Sequence, residues 1–266
     1  EQEQYETQVQ RFVPATTVAQ LGAKFSRNIG ALQYSFATNS NAPMMEFDQY
    51  FLERDPKEIV ASLQTLFMET CRPWYELRKR AQTDLPRTYF DNFGLTLKKL
   101  ISRIQIVLPS FDPRQTTFAL SETETAVLNP VAWLGKHFRE CVMPTYRCIT
   151  HGDLTGRNGM VDANGRCWLI DFFRTGDSHI LRDFVVLETD LKYRLLALVS
   201  ATDFLQFETL LYQIGVNGEI PDDYVNLSEL GKKAFFVIAA VRRIALIKAQ
   251  SLTDDLTQSR QEYLIA

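Results

Sequence analysis

The strongest constraint on this fold is a strand–loop–hairpin unit in mid-chain, punctuated by polar side chains. Tyr146–Thr150 reads as a strand, and His151-Gly-Asp153-Leu-Thr-Gly-Arg-Asn158 follows as a tight loop. Gly159–Val161 and Arg166–Ile170 then flank Asn164-Gly165, the strongest short-range hairpin signal. The second hairpin strand carries the apolar run Cys167-Trp-Leu-Ile170 and ends on Asp171. An antiparallel hairpin returns the chain to its starting point, so Asp171 comes back beside Asp153 and Asn158.

Of the three side chains gathered in this way, the Asp171 carboxylate and the Asn158 carboxamide offer hard oxygen donors, which suit Mg²⁺. Four residues separate Asp153 from Asn158, and a second acid follows an apolar strand. That spacing resembles the phosphotransfer loop of the protein-kinase-like fold, and phosphoryl transfer needs little covalent help from protein. It needs a metal, a base or orienting acid beside the acceptor hydroxyl, and fixed geometry. Asp153 fits the acid/base, on a tight loop just past a strand. Asn158 fits a neutral metal ligand that also braces the loop, and Asp171 fits the charged ligand. His151 reads as structural, its ring bonded to nearby backbone.

Composition narrows the alternatives. The net charge of −3 gives no global basic field for nucleic acid or an anionic membrane. No stretch approaches the roughly 20 apolar residues of a membrane span, and Glu1-Gln-Glu-Gln-Tyr5 lacks the basic and apolar regions of a signal peptide. The expected location is therefore cytoplasmic. Cys71, Cys141, Cys148 and Cys167 sit in apolar neighbourhoods without C-x-x-C pairing and read as reduced and buried. His137, His151 and His179 share no metal-ligand spacing, which argues against zinc.

Elsewhere, residues 1–12 read as a helix with Tyr5, Val9 and Phe12 on one face, ended by Pro14. Val18–Phe25 and Ile29–Phe36 read as an antiparallel hairpin, and Thr38–Pro43 as a hinge. Helices are expected over Glu46–Glu53, from Asp55-Pro56 to Trp74 with a kink near Pro73, over Tyr89–Leu108 and over Ala132–Glu140. Pro109–Pro130 reads as a loop. The remainder reads as helices near Leu181–Leu198, Thr202–Ile214, Leu227–Ala249 and Asp254–Ala266, the last capped by Thr253. Trp74, Trp133 and Trp168 read as core. Both ends look cut, as in a piece of a larger protein.

His151-Gly-Asp153-Leu…Asn158, Ile170-Asp171-Phe172 and Gly176…Leu181-Arg-Asp183-Phe together resemble the aminoglycoside phosphotransferase and choline kinase group of protein-kinase-like enzymes. Trp168-Leu-Ile-Asp171-Phe, His179-x-Leu-Arg-Asp183-Phe and Leu187-Glu188-x-Asp190-Leu-Lys192 look closer to bacterial ternary-complex-associated predicted phosphotransferase domains. The likeness is sharpest over 146–195, looser over 29–75 and weak over 76–130. It implies an α+β, protein-kinase-like fold. A partial small lobe, one helix and two strands, would occupy residues 1–38. A mostly helical large lobe with the catalytic-loop hairpin would occupy 39–266. Asp153 becomes the catalytic acid/base, Asn158 and Asp171 the magnesium ligands, and Asp183 a structural tie between the loop and a later helix. Backbone groups of Phe36, Ala37 and Thr38 would bind the adenine of ATP at the hinge. Phe173 replaces the glycine of D-F-G. Arg157 and Arg174 stand close enough to contact phosphate, or simply to be salt-bridged or solvated.

The family's Gly-rich loop is not found. Lys24 is the one lysine in the first 40 residues, and it reads as an exposed strand residue. Glu1, Glu3 and Glu6 lie on the helix that would carry the partner of an ATP lysine. Two functions follow. One is an ATP- and Mg²⁺-dependent phosphotransferase acting on a small-molecule hydroxyl, with partner domains in a longer protein. Glu188 and Asp190 would then draw in a cationic acceptor, unless Glu188 and Lys192 form an ordinary helical pair. The other is a non-catalytic kinase-like module that senses nucleotide or serves as a scaffold in a multidomain signalling or conflict-system protein.

Overall fold

The computed structural model describes residues 2–10, 20–26, 29–35, 44–119, 126–198, 200–215, 220, 224, 226–249 and 256–266. The protein is a mixed α+β chain. In order come α1 (Gln2–Gln4), continuing as a π-helical turn over Tyr5–Val9, then β1 (Gln20–Ser26), β2 (Ile29–Tyr34), β3 (Met45–Glu46), α2 (Phe47–Glu53) and α3 (Pro56–Thr65). Next are α4 (Arg72–Glu76), β4 (Lys79–Asp84), α5 (Leu85–Asn92), α6 (Leu97–Val107), β5 (Thr117–Ala119), β6 (Ala126–Leu128) and α7 (Pro130–His137). The last third holds β7 (Val142–Thr150), β8 (Gly159–Val161), β9 (Cys167–Leu169), β10 (Gly176–His179), α8 (Arg182–Tyr193), α9 (Ala201–Ile214), α10 (Glu229–Ala249) and α11 (Leu256–Ile265).

These elements fall into two compact units, Glu1–Arg80 with Tyr146–Leu264, and Ala81–Thr145 with Ile265–Ala266. The first holds the main core. Its α3 starts on Asp55, whose carboxylate accepts the Lys57 N–H at 2.8 Å while Glu58 reaches back to the Asp55 N–H at 3.2 Å. Ile59 and Leu63 then go inward, and Phe67 stacks on Phe184 of α8 at 4.2 Å. Helix α10 packs on α3, α8 and α9 and buries Phe235, Val237, Ile238 and Val241 completely. Each such side chain contributes about 1.5–3 kcal/mol by leaving water. β8 and β9 pair antiparallel from Gly159↔Leu169 to Val161↔Cys167, and β3 joins the outer edge of β8 at Met45↔Val161. β10 pairs with β7 from Gly176↔Thr150 to His179↔Arg147.

In the second unit, Asn129 organises the start of α7. Its Oδ1 accepts the N–H groups of Val131 (3.0 Å) and Ala132 (3.2 Å), and its Nδ2 donates to Asp112 O and Gln115 O. α6 packs on α7.

Several sequence expectations need correction. Tyr89–Leu108 is two helices, α5 and α6. Gly94 takes φ +59°, and Thr96 restarts the helix by accepting the Lys99 N–H at 3.2 Å. Tyr89, Phe90 and Phe93 before the glycine and Leu97, Leu100, Ile101 and Ile104 after it keep an apolar rhythm that hid the break. Pro109–Pro130 contains the β5–β6 hairpin, Thr117↔Leu128 to Ala119↔Ala126. The helix expected to run to Trp74 becomes a π-helical turn over Leu66–Thr70 and breaks at Cys71, so Trp74 belongs to α4. α8 ends at Tyr193, and Leu195–Leu198 is a separate 3₁₀ turn. β4 and β10 carry no alternating apolar pattern and were not anticipated. Trp74 and Trp168 are core, whereas Trp133 is 44% exposed and stacks on His137. All four cysteines are free and buried, as expected. Phe12, Pro14, the Thr38–Pro43 hinge, the 38/39 lobe boundary and the Thr253 cap lie outside the described residues. Among the described residues no helix is long and apolar enough to cross a membrane.

Candidate functional site

The loop after β7 is held by buried groups on every side. His151 is fully buried, and its Nε2–H donates to Ile170 O at 2.9 Å. Its ring meets the edge of Phe172 at 5.4 Å; Phe172 lies 5.7 Å from Tyr5, which lies 6.2 Å from Tyr34. Gly152 takes φ +82°, and a Cβ there would stand 2.2 Å from Arg174 O. A side chain is excluded twice over, by backbone conformation and by space.

Asp183, one residue into α8, accepts the N–H groups of both His151 and Gly152 at 2.8 Å. Arg182 Nη2 donates to Gly152 O at 2.6 Å, and Thr175 Oγ1 to His151 O at 3.2 Å. Burial pushes the Asp183 carboxyl up, against the opposing pull of His151, the two N–H donors and Arg182. Asp183 is therefore the structural tie the sequence suggested.

With the loop pinned from below, its chemistry-bearing side chains face solvent. The Asp153 side chain is 35% exposed, and Arg174 Nε lies 3.9 Å from its Oδ2. Asn158 Nδ2 donates to Asp153 O at 2.7 Å, which turns the amide oxygen away from that carbonyl. Ile170 N–H donates to Asn158 O at 3.1 Å and extends the β8–β9 register by one pair. Asp171 follows directly. It is exposed and takes φ +60°, ψ +73°, and among the described residues it is the sole non-glycine with positive φ. Its Oδ1 accepts the Phe173 N–H at a long 3.4 Å. A left-handed backbone costs an L-residue about 1–2 kcal/mol.

The loop's far end is gripped by an ionic cluster. Asp190 of α8 accepts the Gly156 N–H at 2.8 Å and is forked by Arg194, whose Nε and Nη2 both lie at 2.6 Å. Arg194 also forks Asp48 of α2 through Nη1 and Nη2. Hydrogen bonds to Asp190 and Asp48 hold the guanidinium well above its usual range. Arg157 Nε stands 4.0 Å from Asp48, with its side chain 72% exposed.

The acids of this region thus divide by burial. Glu188 accepts two bonds from Arg242 (2.9 and 2.6 Å) and one from the Tyr263 hydroxyl (2.6 Å). Lys192 stands 3.8 Å from Glu188 and 2.9 Å from Glu208. Glu188 and Asp190 are accordingly committed to arginines rather than open to a cationic acceptor, and Glu188 and Lys192 stand as the i,i+4 helical pair that was the other reading. Asp48 and Arg194 were missed; the i,i+4 spacing of Asp190 and Arg194 was the available signal. Lys24 is exposed on β1, as read from the sequence, and Glu3 and Glu6 are exposed on the first helix.

Asp153, Asn158 and Asp171 are thus gathered at one end of the β8–β9 hairpin, while Phe36, Ala37 and Thr38 lie outside the described residues. Among the described residues no three His, Cys, Asp or Glu side chains cluster as a metal site. Two open clefts of about 540 Å³ lie elsewhere in the same unit, one beside Ser62, Asp162 and Arg166, the other beside Leu52, Leu230 and Phe236. A family model described as ternary complex associated domain 9 matches residues 107–266. No curated protein matches this chain.

Proposed function

The chain belongs to the ternary complex associated domain 9 family, and from that premise we propose that it is a kinase-like phosphotransferase domain that uses ATP and Mg²⁺ to phosphorylate a hydroxyl of a small molecule. The observation carrying this reading is the convergence of Asp153, Asn158 and Asp171 on a loop whose backbone is fixed by Asp183. The donors fit a hard cation: an exposed carboxylate with one weak internal bond, and an amide oxygen aimed away from its own backbone partner. Two protein ligands suffice for Mg²⁺, which commonly takes one or two carboxylates plus substrate phosphates. When bound, the ion would neutralise charge on the phosphates.

The chain's own residues supply the rest. Asp153 orients the acceptor hydroxyl and receives its proton. Arg174, 3.9 Å from Asp153, would meet phosphate oxygens or stay paired with that carboxylate. Adenine would bind near Phe36, Ala37 and Thr38.

A second reading is a non-catalytic nucleotide-sensing or scaffold module. The exposure of Lys24, Glu3 and Glu6 favours it, since a phosphate-holding lysine works when paired with a carboxylate. Thermal shift separates the possibilities. ATP with Mg²⁺ should raise the melting temperature of the wild type by mass action. The same ATP with EDTA, or with Asp171→Ala, should not. Transfer to added hydroxyl acceptors then distinguishes enzyme from sensor. No shift in any arm overturns nucleotide binding by this chain.

A further inference from the structure

We propose that Arg194 is a positioning residue for the metal ligand Asn158, acting through Asp190 and Asp48 as a clamp on the loop. The inference rests on the phosphotransferase reading above. It explains a cluster that the reading does not use.

The clamp grips the far end of the loop, beyond the reach of Asp183. Asp183 fixes His151 and Gly152, at the start of the loop. Asn158 sits six residues beyond Gly152, on a short 3₁₀ turn, Gly156–Asn158. Asn158 is tied to Asp153 O, Thr155 O and the Ile170 N–H, whereas the Gly156 N–H at the start of the turn is met by the Asp190 carboxylate. Left alone, Asp190 would be free to rotate. Arg194 fixes it with two charge-assisted bonds at 2.6 Å and anchors the pair to Asp48. Such forks set geometry as well as energy.

Packing adds a second constraint. A Cβ at Gly156 would stand 2.0 Å from Asp48 Oδ1, so the turn lies directly against the anchored carboxylate. The Asp190 and Asp48 side chains are 9% and 16% exposed. They are shielded enough for the fork to be rigid, while Arg194, at 29%, can be replaced without opening the core. The path runs from α2 and α8 through Gly156 N–H to the turn that carries Asn158. Groups that orient a metal ligand in this way typically change metal affinity about tenfold to a hundredfold when removed.

The test compares the wild type with Arg194→Met and Arg194→Lys. Amide hydrogen exchange at residues 156–158 is read first, without ligand. Arg194→Met should speed it about tenfold or more while α10 exchange stays unchanged, because the loop opens locally. Arg194→Lys keeps a charge without the fork and should fall between. The Mg²⁺ concentration giving half of the ATP-dependent thermal shift is read second, and should rise about tenfold or more in Arg194→Met. Asp48→Asn, which weakens the anchor while preserving volume, should move both readouts in the same direction. A wild-type shift whose Mg²⁺ midpoint is unmoved in Arg194→Met overturns the positioning role alone. So does unchanged exchange at 156–158. A wild type with no ATP- and Mg²⁺-dependent shift overturns the proposed function, and this inference with it.

Discussion

The loop His151–Asn158 and helix α8 both carry acids, and they use them in opposite ways. On α8, Asp183, Glu188 and Asp190 are buried or nearly so, and each accepts hydrogen bonds from N–H donors or arginines. In the loop and just after β9, Asp153 and Asp171 face solvent with few internal bonds. A carboxylate enters a protein interior only with partners, so the buried acids are scaffold and the exposed ones remain available for chemistry. The difference separates roles that a bare count of acids near a motif would merge.

The sharpest way to break that division is Asp183→Ala. It leaves the N–H groups of His151 and Gly152 buried without an acceptor. The expected loss is about 3–5 kcal/mol of folding stability, measured by urea denaturation. A loss under about 1 kcal/mol would mean that Asp183 does not hold the loop.

Asp153→Asn should do the reverse. Stability should stay within about 0.5 kcal/mol of wild type, whereas phosphoryl transfer to a hydroxyl acceptor should fall about 10²–10⁴-fold. Asp171→Gly sharpens the same contrast. Glycine adopts φ +60° without strain, so the variant should gain up to about 1 kcal/mol in a denaturant melt. It should also lose the Mg²⁺-dependent response to ATP. Stability gained with binding lost would mark Asp171 as a residue kept for its carboxylate.

The smallest effect lies in pH dependence. Burial alone would raise the Glu188 carboxyl, but the Arg242 fork, Lys192 and the Tyr263 hydroxyl hold it below its ordinary 4.5. Its stabilisation is complete above that value and is lost as pH falls through the lower folded-state value. Asp183 has the opposite sign: raised by burial above 3.8, its contribution is complete below that value and is lost as pH rises through the folded-state value. Stability measured against pH should therefore fall less steeply in acid for Glu188→Gln than for wild type. Asp183→Asn should remove the opposing trend above 3.8.

These contrasts also show what the sequence could reveal. The hairpin was legible because Asn164-Gly165 is a local turn signal, and Gly165 does adopt φ +75° between paired strands. The gathering of Asp153, Asn158 and Asp171 followed from that register. The role of Asp183 came from the family resemblance. The Asp48–Arg194 contact was not legible: its partners are 146 positions apart, and only the folded packing of α2 against the loop joins them. The Glu188–Arg242 fork, 54 positions apart, was hidden for the same reason, and of the partners of Glu188 only Lys192, at i,i+4, was legible. The α5–α6 break escaped because a single glycine interrupted an unbroken apolar rhythm.

The central claim is that Asn158 and Asp171 hold a divalent cation together with ATP, while Asp153 does not. Mn²⁺ can stand in for Mg²⁺ as a paramagnetic probe, and water-proton relaxation can be measured with ATP for wild type, Asp171→Ala and Asp153→Ala. The account predicts enhanced relaxation for wild type and Asp153→Ala, and its loss in Asp171→Ala. Equal enhancement in all three proteins, or none in the wild type, would contradict it.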